Sequence, residues 1–138
     1  MRARAWIGGV LLATAIGSVT MTAGDGGRLP PRQSAMVYLA EPTLIGSTIV
    51  QGPVLFTHDA AKMARGEPCT SVRLVDPVSG PIEEVTAFHC LSRPGRVTNR
   101  FVLTTRPNLL DGVGCILTAY QFAGDPDVHG VPVTAAAH

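Results

Sequence analysis

The chain has a single lysine against ten arginines, and no real excess of either charge. A protein that neutralises phosphates needs a clear basic surplus, so nucleic acid is excluded as a main partner. There is no Gly-x-Ser-x-Gly elbow, phosphate loop or metallohydrolase motif, and a recognisable enzyme class therefore finds no support. Cys-x-x-Cys, His-x-x-x-His and Cys-x-x-Cys-His are also missing, which removes the motif-defined zinc sites and covalent haem. Cysteine is scarce at three residues, an odd number that leaves at least one thiol without an internal partner. No internal repeat is present, and no second long apolar run follows the first.

That first run is at the start. Arg2 and Arg4 precede an uncharged apolar stretch from Ile7 to Val19, closed by the small residues of Thr20 to Gly24. Basic, apolar and small segments in that order form a signal peptide, here residues 1–24, and predict a secreted or periplasmic protein. Ala5 to Ala23 is also just long enough to cross a bilayer, so membrane contact is expected only if the leader stays uncleaved. Without the leader about 114 residues remain, enough for one domain with its own core. Nine basic then face ten acidic residues, a net of −1.

Residues 25–35 are rich in glycine, proline and charge, and read as a flexible linker. From residue 36 the pattern turns to strand. Met36 to Leu39 is a short strand ended by Glu41-Pro42; Thr43 to Val50 and Pro53 to Thr57 follow, separated by the turn signature Gln51-Gly52-Pro53. Asp59 suits a helix N-cap, Ala60 to Ala64 are helix formers, and Gly66 suits a C-terminal position of positive φ. At under two turns this helix needs the sheet to pack on. Cys69 to Val75 and Ile82 to Cys90 form a hairpin, Asn99 to Thr105 and Val113 to Phe122 are two further strands, and residues 124–138 are an irregular tail. The expected fold is mainly β over residues 36–123, a small antiparallel β-sandwich or partly open barrel with one short helix.

The hairpin supplies a cysteine pairing. A turn centred on Ser79-Gly80 pairs Val72 with Ala87, Leu74 with Val85 and Cys69 with Cys90. Opposed residues of that kind lie within disulfide range, and an export signal delivers them to oxidising conditions. A Cys69–Cys90 disulfide is the first expectation; Cys90–Cys115, or no disulfide, are the alternatives. A slip of one residue would send the first pair to opposite faces. Cys115, within Val113 to Leu117, reads as a buried thiol packed like a small hydrophobe.

Copper or zinc is the alternative to a chain without cofactor, because imidazole and sulfur suit those ions. The candidate ligands are His58, Met63, His89 and Cys90. His58 and Met63 also occupy the two positions that staple a helix start, and His89 falls on the apolar face of the expected hairpin. Arg93, Arg96 and Arg100, with Arg106 nearby, form a possible anion site, since guanidinium forks suit carboxylate and phosphate. They read first as a solvated basic loop. Glu83 and Glu84 point to opposite faces of a strand and cannot form one acid–base pair. Asp125 and Asp127 read as a solvated turn, too poor in oxygen ligands for tight calcium binding.

The stretches His58-Asp59-Ala60-Ala61-Lys62-Met63-Ala64-Arg65-Gly66-Glu67-Pro68-Cys69 and Phe88-His89-Cys90 resemble those of small exported bacterial β-domain proteins of uncharacterised activity. The resemblance covers roughly residues 36–133. It implies an exported β domain and carries over no functional residue. The expected role is a binding or structural module for a protein or small ligand, with transition-metal binding as the alternative.

Overall fold

A computed structural model describes residues 29–109 and 114–133. The signal-peptide reading, the start of the linker and residues 134–138 lie outside the described residues. The elements are β1 (Arg32–Ile45), β2 (Thr48–Asp59), α1 (Ala60–Ala64), β3 (Thr70–Asp76), β4 (Gly80–Phe88), β5 (Leu91–Pro94), β6 (Val102–Pro107), β7 (Cys115–Gln121) and β8 (Asp127–Gly130). The protein is mainly β with one short helix among the described residues. Its sheet runs β4-β3-β2-β1-β7-β8-β5, with β6 added on β7, and does not close.

One pairing departs from the antiparallel expectation. β1 and β7 run parallel through Thr43↔Cys115 and Leu44↔Ile116. β6 follows one edge of β7 from Cys115 to Gln121, so β1 and β8 share the other edge, with β8 taking Ala119 and Tyr120. The join is tight. Gly114 stands at φ +67°, and a Cβ there would overlap the Pro42 carbonyl.

The start of the fold differs from the sequence expectation. β1 begins at Arg32, inside the stretch read as linker, and pairs there with Asp59. Glu41-Pro42 does not end the strand, and Gln51-Gly52-Pro53 is no turn: both lie at an irregularity where the register shifts between Leu39 and Thr43. A bulge tolerates proline because its missing N–H leaves no ladder bond unmade. The chain reverses instead at Gly46-Ser47, within the run expected as one strand, where Gly46 adopts φ +65°.

The period of two along β2 sends Val54, Phe56 and His58 inward, and β3 answers with Thr70 and Val72. Phe56 meets Phe101 at 5.4 Å and Tyr120 of β7 at 5.5 Å, while Phe122 lies 5.1 Å from Phe101. The β2–β3 side of the sheet thus packs face to face on β7. Truncating one such buried aromatic removes a large apolar area and leaves a cavity.

The helix is where the sequence placed it, but it packs on nothing: none of its residues is buried. Its ends hold it. Asp59 Oδ1 accepts from the backbone N–H groups of Ala61 (2.9 Å) and Lys62 (3.2 Å), and Gly66 takes φ +74° past the C-cap. Asp59 N–H donates to the Cys69 carbonyl at 2.8 Å and Ala60 N–H to that of Pro31. The helix is therefore a capped connector that returns the chain from His58 to Cys69.

The hairpin of β3 and β4 forms, with a corrected register. Asp76 faces Gly80, and two irregularities between Val72 and Val75 bring Val72 opposite Thr86 and Thr70 opposite Phe88. The tight loop is held by Asp76 Oδ1, which accepts from Val78 N–H at 2.7 Å. Ladder pairing ends at Phe88, so Cys69 and Cys90 are not ladder partners.

Two outcomes are expected here. Gly114→Ala should lower stability by more than about 1 kcal/mol in denaturant melts, because both its φ and its Pro42 contact exclude a side chain. The lysine backbone N–H, then Arg32, holds the Asp59 carboxyl below its usual range, so its stabilisation is complete at neutral pH and lost as pH falls through the lowered folded value. Asp59→Asn should therefore be less stable than the parent at pH 7, with the gap narrowing in acid; melts at several pH values would show a constant gap if the carboxylate contributes nothing.

Candidate metal centre

The inward row of β2 ends in a polar group. His58 is only 3% exposed, and its Nε2 is buried without a hydrogen-bond partner. Burial comes first among the causes that lower its pKa, with His129 adding to the effect, so the neutral imidazole is favoured. The capped helix brings Cys69 back to this place. On the other side of the hairpin the chain leaves the ladder after Phe88; His89 turns out to solvent and Cys90 turns in. One ligand atom each of His58, Cys69 and Cys90 lies within 4.8 Å of the other two.

The two sulfurs are 2.9 Å apart and both thiols are free, so the expected disulfide is not formed in this structure. Cys90 N–H donates to Cys69 Sγ at 3.2 Å. Burial, followed by the Cys69 contact, pushes the Cys90 thiol up to about 12. Burial disfavours the thiolate of such a thiol, and a bound cation would offset that penalty.

A fourth group comes from the segment read as an irregular tail. β8 places His129 with Nδ1 3.6 Å from Cys90 Sγ and its ring 4.4 Å from that of His58. Its Nε2 lies 2.9 Å from Asp125 Oδ2. An ionised carboxylate only accepts, so Nε2 carries the proton and, in the neutral ring, Nδ1 presents its lone pair toward Cys90. Asp125 is itself fixed: Oδ1 accepts from Asp127 N–H at 2.8 Å, and its carbonyl accepts from Gln121 Nε2 at 2.8 Å. A carboxylate behind an imidazole in this way sets the tautomer and orientation of a metal-ligating histidine.

The floor is aromatic and polar together. Tyr120 stacks on His129 at 5.0 Å and 16°, and its hydroxyl is hydrogen-bonded to Thr70 Oγ1. Burial raises the Tyr120 pKa, which keeps the phenol protonated. Two thiols and the His58 imidazole converge in a buried space with His129 beside Cys90, and sulfur and imidazole are donors suited to a zinc or copper(I) ion.

The sequence-stated ligands divide. His58 and Cys90 belong to the centre. Met63 is 41% exposed on the helix, and His89 is exposed instead of lying on the apolar face; neither joins it. Cys69, seen only as a disulfide partner, is a member. His129 and Asp125 were missed because they lie among glycine and proline; their spacing of four residues was the available signal. Asp125 is buried and not part of a solvated turn. Arg93, Arg96 and Arg100 are exposed and separated, on β5, on the following loop and just before β6. Cys115 is buried, 3.5 Å from Thr43 Oγ1, and apart from the centre at the β1–β7 join. No protein-family model, curated protein or solved structure matches the chain.

Thr70→Val should leave the buried Tyr120 hydroxyl with only the weaker Cys90 thiol as partner and destabilise the protein by about 1–3 kcal/mol. Tyr120→Phe, which frees the smaller and adaptable threonine hydroxyl, should cost less in the same denaturant melts. The reverse order would mean that this pair does not tie β3 to β7.

Proposed function

We propose that this chain is an exported β domain that binds one transition-metal ion, zinc or copper(I), through His58, Cys69, Cys90 and His129. The observation that carries the reading is the unpartnered His58 Nε2 in a buried cluster that already holds two thiols. A buried polar atom without a partner is costly, and a metal ion relieves that cost while making thiolates of the cysteines. Four protein ligands would fill a tetrahedral ion. That is the pattern of a structural or binding site, since catalytic zinc keeps one position open.

The basic, apolar and small leader supports a secreted or periplasmic location after cleavage near Gly24. The facing of β2 and β3 on β7 supports a small β-sandwich or partly open barrel as the frame. The near balance of charge supports a protein or small-ligand partner over nucleic acid.

Metal analysis of the exported protein, purified without chelator, tests the reading. About one equivalent of zinc or copper is expected, lost in Cys69→Ser and Cys90→Ser and retained in Met63→Leu and His89→Ala. Protein that arrives reduced and metal-free, and takes up neither ion on titration, would overturn it.

A further inference from the structure

We propose that Cys69 and Cys90 are also a redox-labile pair, which exchange with a small external disulfide converts to a cystine, and that the cystine and metal-bound states exclude each other. The inference rests on the metal-binding reading and adds a second fate for the same two sulfurs. Their 2.9 Å separation stands between two covalent destinations. A disulfide requires about 2.05 Å. Two thiolates on one tetrahedral zinc, with bonds of about 2.3 Å, stand roughly 3.8 Å apart. Each destination is within about 1 Å of the observed arrangement, so neither demands that the frame be rebuilt. Both destinations cannot be occupied together, because cystine sulfur lacks the thiolate that the ion needs.

The step balances as thiol–disulfide exchange. One cysteine sulfur, deprotonated, attacks a sulfur of the external disulfide and expels one thiolate, giving a mixed disulfide. The other cysteine sulfur then attacks the protein-side sulfur of that bond and expels the second thiolate. Two protein thiols are oxidised, the external disulfide is reduced to two thiols, and the two protons pass to them. A zinc ion released in the process keeps its oxidation state.

Cys69, itself buried, borders one cleft. The cleft, of about 320 Å³, is lined as well by Arg32, Lys62 and Arg73 on one side of the charge balance and Asp59 and Glu84 on the other. Asp59 is engaged by Arg32 at 3.1 Å and Glu84 stands opposite Arg73 in the ladder, so the lining carries one cation in excess, which favours a carboxylate-bearing disulfide. Cys115 is not in the cluster, and its Sγ lies 3.5 Å from Thr43 Oγ1 at the β1–β7 join.

Oxidised glutathione is the probe, applied to the reduced full exported chain with and without zinc. Without zinc, peptide mapping should recover a Cys69–Cys90 cystine and an alkylatable Cys115, and Cys115→Ser should behave as the parent does. The oxidised protein should take up no zinc, and zinc-loaded protein should oxidise roughly tenfold or more slowly. A persistent glutathione adduct, or a Cys90–Cys115 peptide, would overturn the inference. So would zinc uptake by the oxidised form equal to that of the reduced form, although the metal-binding reading would then stand. A reduced protein that takes no zinc would overturn that reading, and the exclusion with it, whatever the mapping shows.

Discussion

A neutral imidazole at the end of an apolar row is the constraint around which this protein is organised. The strand period that buries Val54 and Phe56 also buries His58, and among the described residues none hydrogen-bonds its Nε2. Leaving such an atom without a partner costs free energy on the order of 1–3 kcal/mol. Around it the chain has gathered two free thiols and a second imidazole, none of which is a good permanent partner in a dry interior. The grouping makes physical sense as a place prepared for a cation.

Each ligand is delivered by a feature that is otherwise hard to justify. A helix of five residues that buries nothing contributes little packing, yet its Asp59 cap and its bonds to Cys69 and Pro31 fix the return from β2 to β3. The break after Phe88 forfeits ladder pairs and turns Cys90 inward. β8 is only four residues long, but it holds His129 against Tyr120 while the Asp125 carboxylate fixes the ring from behind. The Thr70–Tyr120 hydrogen bond then links the cysteine side of the site to the histidine side.

Much of the frame was legible in the chain because its signals are local. Asp59 and Gly66 mark the helix, and the β3–β4 hairpin falls where Cys69 to Val75 and Ile82 to Cys90 placed it. Errors arose where long-range pairing overrides local cues. Pro42 and Pro53 look like breakers, yet Pro42 sits in a bulge between two long strands and Pro53 pairs with Tyr38 beside it. The expected hairpin register is three residues out at the turn, where Asp76 faces Gly80, and the two irregularities bring it back to one residue out where Val72 faces Thr86. At the site, alternation alone put His89 inside and Cys90 opposite Cys69, whereas the strand stops at Phe88 and its exit decides which side chain is buried. β8 was invisible because Asp125 and His129 are buried as a polar pair that satisfies itself, and hydrophobic patterning does not register such a pair.

X-ray absorption at the zinc or copper edge of the purified protein addresses the central claim most directly, because it reads the donor atoms themselves. The account predicts two sulfur scatterers at about 2.3 Å and two imidazole nitrogens at about 2.0–2.1 Å. A first shell of oxygen and nitrogen alone, with no sulfur, would contradict it.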